Sequence, residues 1–178
     1  MTQWSEQGEN RWHALFVKTG SEEKIKESLE ARLGDVFRFC VPRRVLIIRK
    51  GGKNTREIKP LFPGYILLYG PMTLQSYHLI KGTGHVYYLL MNDCRPMVIP
   101  EEEILPIQAL MGNQEGGLIG ESIGFMENDR IFVREGPLKA MEGSILSVNA
   151  RKGRAKVRLF LGGEEKLVDL SLHVINRG

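Results

Sequence analysis

Apolar positions along this chain keep two different periods, and the change between them divides it. Residues 12–18, "WHALFVK", suit a short strand. In "SEEKIKESLEARLG", Ile25, Leu29 and Leu33 fall at i, i+4 and i+8. Ser21 offers a cap, Glu22 and Glu23 suit the first turn, and Gly34 ends the run, so an amphipathic helix laid on a sheet is predicted. Residues 36–41 read as strand, and 45–49 and 55–61 flank "KGGKN", which has the chemistry of a hairpin turn. "PLFPGYILLY", residues 60–69, divides into a turn around Pro60–Gly64 and a buried strand at 65–69. Residues 73–82 suggest a short helix stopped by glycine, and 86–91 another strand. Residues 100–112 begin a helix with Pro100 near its start and three acids favoured by the dipole; Pro106 should kink or interrupt it. Helices alternating with a meandering, antiparallel-type sheet give an α+β domain over residues 11–111.

Residues 112–123, "GNQEGGLIGESI", hold four glycines with little periodicity and read as a linker. Beyond them the helical stripe is gone. Four period-2 segments lie near 130–134, 143–148, 154–160 and 166–170, punctuated by Gly136-Pro137, Gly153 and Gly162-Gly163. Short strands at this spacing predict a small all-β barrel over 124–178. The first ten residues, polar and acidic, are expected to be disordered and are neither a signal nor a transit peptide.

Composition changes this picture little. The chain of 178 residues is 42% hydrophobic and 26% charged, and no apolar stretch is long enough to span a bilayer. A cytoplasmic protein without a membrane partner is expected. Cys40 and Cys94 stand apart without metal spacing and are expected to be reduced and buried. His13, His78, His85 and His173 form no H-x-x-x-H or H-E-x-x-H pair, so no metal site is expected. The carboxylates of "EEE" at 101–103 diverge around the helix and read as a solvated first turn. "KGGKNT" lacks phosphate-loop spacing, "GTGHVY" lacks the third glycine of a dinucleotide site, and no G-x-S-x-G occurs. An enzyme is not expected, and no cofactor is implied.

Charge matters through its placement. The net charge is +4, with 15 Lys and Arg against 12 Asp and Glu in residues 1–111 and 10 against 8 in residues 120–178. Neither part is strongly basic, so the cations count only where they cluster. Residues 43–59 hold Arg43, Arg44, Arg49, Lys50, Lys53, Arg56 and Lys59 against Glu57 alone. A hairpin with such a tip suits nucleic-acid phosphates, or simply discourages edge pairing. In "RAKVRLF" the period of 2 puts Arg154, Lys156 and Arg158 on one face, with Arg151 and Lys152 just upstream. In "RIFVR", Arg130, Phe132 and Arg134 share a face opposite Ile131 and Val133. Cations beside an exposed aromatic suit RNA, whose unstacked bases stack on aromatic rings; ordinary surface arginines and a gap-filling Phe would look the same.

Taken in order, "WHALFVKTGSEEKIKESLE", "PLFPGYILLY", "IKGTGHVYYLL", "RPMVIPEEEI" and "NDRIFVREGPLKAMEGSILSV" resemble the NusG family of bacterial transcription elongation factors. The resemblance covers roughly residues 11–175. It implies an NGN domain that binds the clamp helices of RNA polymerase and suppresses pausing, followed by a KOW domain. It places the polymerase contact on Phe62, Pro63 and Tyr65, with Tyr77, Ile80, Thr83 and Phe16 nearby. It turns the hairpin residues Arg43, Arg44, Arg49, Lys50 and Lys53 toward upstream or non-template DNA.

The chain departs from the housekeeping pattern at Asn128, where the family usually has Gly, and at Leu138, where it usually has Phe. Its closing strand reads "FLGGEEKLVDL" instead of "FGR-x-TPVEL". The resemblance thus points to a specialised paralogue, similar to RfaH or the LoaP group. The expected function is processive antitermination by a monomer. RNA polymerase would be held by the NGN domain, and a nascent RNA hairpin by Arg130, Phe132, Arg134, Lys139, Arg151, Lys152, Arg154, Lys156 and Arg158. The alternative is a general elongation factor whose KOW domain binds ribosomal protein S10 or Rho. A translation-linked RNA-binding protein leaves the Phe62–Tyr65 surface without a role.

Overall fold

The computed structural model describes residues 8–176, so the expectation for the first residues falls largely outside the described residues. Asn10, expected to be disordered, instead opens a strand and pairs with Pro71. The described chain divides into two compact units. One is the chain up to Val41 together with Pro63–Ile104; the other is Pro42–Phe62 together with the chain from Leu105 onward.

The first unit contains β1 (Asn10–Val17), α1 (Glu22–Leu33) and β2 (Arg38–Cys40). The second contributes the hairpin β3 (Arg43–Lys50) and β4 (Lys53–Pro60) before the chain returns to the first for β5 (Tyr65–Pro71), α2 (Leu74–Lys81) and β6 (Val86–Leu89). A small hairpin, β7 (Met91–Asn92) and β8 (Arg95–Pro96), follows. Sheet order in this unit is β2-β5-β1-β6, antiparallel throughout. Strand alternation sends Leu15, Val17, Ile66, Leu68 and Leu89 to one face, where they form a core with Ile25, Leu29 and Leu33 of α1 and Ile80 of α2. The expected helical stripe is therefore the stripe that is buried. Ser21 makes no capping bond, but Thr73 and Ser76 form a reciprocal capping box on α2. Cys94, expected to be buried, is exposed at the tip of the β7–β8 turn.

α3 (Glu101–Met111) runs through Pro106 without interruption. The proline forfeits one helix bond, to the carbonyl of Glu102, and the remaining turns hold. Glu101 and Glu102 are exposed as expected of a solvated turn, but Glu103 is buried.

In the second unit, Gly51 and Gly52 both take positive φ, the two-residue turn that matches strand twist, and close the β3–β4 hairpin. Residues 112–123 are more structured than a linker: a 3-10 turn spans Glu115–Gly117, and β9 (Leu118–Ile119) pairs in parallel with β3. Then come β10 (Ser122–Glu127), β11 (Arg130–Glu135), β12 (Ile145–Asn149), β13 (Arg154–Leu161) and β14 (Glu164–Val174). They form a five-stranded half-barrel of order β11-β10-β14-β13-β12, with a 3-10 segment at Pro137–Ser144. Ala155, Val157, Leu159 and Leu161 are all buried, as the period of 2 requires. The fold is α+β followed by a small all-β half-barrel.

Candidate functional site

The face of the first sheet opposite its helical core carries aromatic side chains. Phe16 of β1 pairs across the sheet with Tyr65 of β5 and with Tyr88 of β6. Its ring lies 5.2 Å from that of Tyr65 in an edge-on arrangement, 5.0 Å from Tyr88 in a stacked one, and 5.9 Å from Tyr87. Such pairs contribute about 0.5–1.5 kcal/mol each beyond burial. Yet Tyr87 is 53% and Tyr88 45% exposed, so the cluster is held together while much of its area faces outward.

The turn that delivers Tyr65 is fixed by a residue far away in sequence. Glu22, at the start of α1, is 3% exposed. One carboxylate oxygen accepts the Gly64 N–H at 2.7 Å and the other accepts the Gly20 N–H at 2.8 Å. The Gly64 carbonyl accepts from the Val17 N–H at 2.8 Å. Gly64 has φ +83°, and a Cβ there would lie 2.9 Å from the Phe16 ring, so glycine is required on both counts.

Of the residues expected to meet polymerase, Phe16 and Tyr65 come together and Pro63 is exposed. Phe62 is corrected: at 4% exposure its ring is turned inward, and the exposed member of that turn is Pro63. Ile80 is likewise core, and Tyr77 packs partly buried against that core. Thr83 is buried, accepting from the Arg32 guanidinium and donating to the Leu79 carbonyl. Tyr87 and Tyr88 escaped sequence reasoning, although two adjacent tyrosines in one strand cannot both point inward. Glu22 left no local signal, because its partner is 42 residues away.

The cations of the second unit divide into paired and unpaired sets. Lys50 and Lys59 both bond Glu57, at 2.6 and 3.2 Å, and hold its carboxyl below the usual range. Arg43 donates to the Gly116 carbonyl at 3.2 Å. Arg44 donates to the Asp169 carbonyl at 2.5 Å. Burial lowers the Arg44 pKa, Asp169 opposes that, and Arg154 adds to it. Ser171 of β14 donates to the Val45 carbonyl at 2.7 Å, so the hairpin is anchored to the half-barrel. Its expected DNA-facing residues thus differ in freedom: Arg44 is engaged, and Arg49 and Lys53 are exposed at the tip.

The outward face of β13 is corrected from cationic to mixed. Lys156 pairs with Asp169 at 3.3 Å, Arg154 with Asp169 at 3.8 Å, and Arg158 with Glu165 at 3.5 Å. On β11, Arg130 and Arg134 are exposed on either side of Phe132, which stacks on Phe125 at 5.5 Å. β10 and β14 separate that strand from β13, so the expected RNA residues do not make one patch. Lys139 is exposed in the 3-10 segment.

Departures from the family pattern are accommodated locally. Asn128 takes φ +49°, which Asn tolerates, and Leu138 is buried. Among the described residues no group of three or more His, Cys, Asp or Glu is placed to hold a metal, and no helix is long and apolar enough to cross a membrane.

Comparison with known proteins places these features. The family profile described as "Transcription termination factor nusG" matches residues 10–108. "Transcription termination/antitermination protein NusG" of Thermus thermophilus is 28% identical over 174 residues, covering 89% of this chain and 94% of that protein. The protein of the same name from Halalkalibacterium halodurans is also 28% identical, covering 95% and 99%. A solved structure, "Domain interaction in Thermotoga maritima NusG", aligns with TM-score 0.54 over 93% of this chain and 94% of that one; at 20% identity it supports the fold alone. The chain belongs to the NusG family of transcription termination/antitermination proteins.

Proposed function

We propose that this chain is a bacterial elongation factor that rides on RNA polymerase, suppresses pausing and termination, and takes hold of structured nascent RNA. It is a transcription factor, not an enzyme. The NGN-type polymerase-binding part lies in residues 11–111, less the β3–β4 hairpin, which belongs to the second compact unit; 112–123 is the connection and 124–178 the KOW domain. The carrying observation is the outward aromatic cluster of Phe16, Tyr65, Tyr87 and Tyr88 on a rigid sheet. Aromatic area presented at low conformational cost is what a protein hot spot uses. The RNA contact rests on Arg130, Arg134 and the stacked Phe132. Their arrangement on a strand is not specific to one operon, so specialisation of the RfaH or LoaP type rests on the altered closing strand. Two weak contacts on one chain raise each other's effective concentration, which would direct the factor to chosen transcripts.

The decisive experiment is single-round transcription across a defined pause. Tyr65→Ala combined with Tyr88→Ala should return the pause lifetime to its factor-free value while RNA binding persists. Pause suppression equal to the unaltered protein would overturn the polymerase assignment.

One observation favours the second reading, a KOW domain that binds a protein such as ribosomal protein S10 or Rho. Phe160 is 44% and Leu167 52% exposed, on one outward face of the β13–β14 hairpin. Exposed apolar side chains at a hairpin suit a protein partner better than RNA.

A further inference from the structure

Three cations that lack carboxylate partners among the described residues, Arg49, Arg151 and Lys152, line one cleft. It lies within the second unit and has a volume of about 810 Å3. The β3–β4 hairpin forms one wall through Ile47, Ile48 and Arg49, and the turn between β12 and β13 forms the other through Arg151, Lys152 and Arg154. Arg49, Arg151 and Lys152 are exposed and have no carboxylate partner among the described residues. This separates them from Lys50, Lys59, Lys156 and Arg158, whose charges are already met. The single acid in the lining, Glu121, is itself paired with Arg56 at 3.6 Å.

The walls are fixed before anything binds. The Asn149 side chain accepts the Lys152 N–H at 2.9 Å, and Gly153, left-handed at φ +63°, donates its N–H to the Ala150 carbonyl. These bonds pin the turn and also occupy its backbone donors, so an anion here is met by side chains. Arg154 reaches across to the Ile47 carbonyl at 3.5 Å, which ties the turn to the hairpin.

We propose that this cleft holds the phosphodiester backbone of a single nucleic-acid strand, gripped at once by the hairpin and by the half-barrel. The inference rests on the reading that this chain binds nucleic acid, and it assigns one composite site where the sequence suggests two separate surfaces. The volume falls in the range of about 300–1,000 Å3 typical of small-ligand sites, enough for a short stretch of one strand and too small for a duplex. Phosphates would meet the cations, and Ile47 and Ile48 offer aliphatic surface beside them. Guanidinium groups suit phosphate through their forked donors.

The test uses the full chain and fluorescein-labelled oligo(U) and oligo(dT), with anisotropy titrations at several KCl concentrations. Arg49→Gln alters the hairpin wall, Arg151→Gln with Lys152→Gln the turn wall, and Arg130→Gln with Arg134→Gln the distant β11. Thermal melts confirm that each variant is folded. Each wall variant should weaken binding and flatten the dependence of log K on log salt by about 0.7 per cation lost, so about 2 for all three. If the turn variant weakens binding and Arg49→Gln does not, or the reverse, the composite cleft is overturned. If only the β11 variant matters, the cleft falls while the RNA-binding reading stands. If the unaltered chain binds neither strand, the cleft falls; a parallel titration with a labelled RNA hairpin then decides the RNA-binding reading separately, and the polymerase assignment is untouched. Preference for oligo(U) would identify a transcript as the source of the strand, preference for oligo(dT) a displaced DNA strand, and equal binding recognition of phosphate alone; all three keep the cleft.

Discussion

At the scale of single residues, two buried polar side chains govern the first unit. Glu22 joins α1 to the turn before Tyr65, with its carboxylate between two backbone N–H groups. Glu22→Ala would leave both donors without their acceptor, at a cost of about 1–3 kcal/mol for a buried group, and would loosen the presentation of Tyr65. Thermal melting should fall by several degrees, and pause suppression should weaken more than RNA binding. A melting temperature equal to the parent's would refute this role. His13 is 3% exposed, with its Nδ1 2.8 Å from the Met97 carbonyl. Burial lowers its pKa from 6.5, and the bond to Met97 only partly opposes this. Because the folded value is below the unfolded one, the stability contributed by neutral His13 is complete above pH 6.5 and is lost as pH falls through the folded value. Melting between pH 7.5 and 5.5 should therefore drop in the parent and drop less in His13→Gln; parallel pH profiles would rule this out.

Elements show how much local chemistry already specifies. The α1 stripe, the paired glycines of the β3–β4 turn and the alternation in β13 each lie within a few residues of one another, and each folds as its pattern predicts. Expectations that depended on distant partners did not hold. β13 has a cationic outward row in the sequence, yet the register sets Asp169 opposite Lys156 and Glu165 beside Arg158 in space. The hairpin has a free basic tip in the sequence, yet its base is anchored by Ser171 and Asp169 of β14. Ser171→Ala removes the donor to the Val45 carbonyl, so amide exchange within Arg43–Lys50 should quicken while β1 keeps its protection. Unchanged exchange in the hairpin would show that the anchor contributes nothing.

At the scale of the whole molecule, the chain crosses between its compact units more than once. Residues 42–62 leave the first unit after β2 and return to it at Pro63. A segment that sequence order assigns to the polymerase-binding domain thus packs with the half-barrel, which brings Arg49 beside Arg151 and Lys152. The aromatic cluster stays entirely in the first unit. The proposed docking face and the proposed strand cleft therefore lie in different units, and variants of one should leave the other measurable.

By itself the sequence determined the α+β and small all-β classes, the three α-helices and most of the strands, though not β7 to β10, and the buried faces of α1 and β13, because period and turn chemistry act between near neighbours. It also pointed to Phe16 and Tyr65, which the fold brings together, and to the cations of the cleft. Only the tertiary structure decided that Phe62 and Ile80 are buried, that Tyr87 and Tyr88 complete the aromatic face, and which cations lack a partner. Burial and charge pairing depend on what the fold brings across a face from far along the chain, and no local pattern records that.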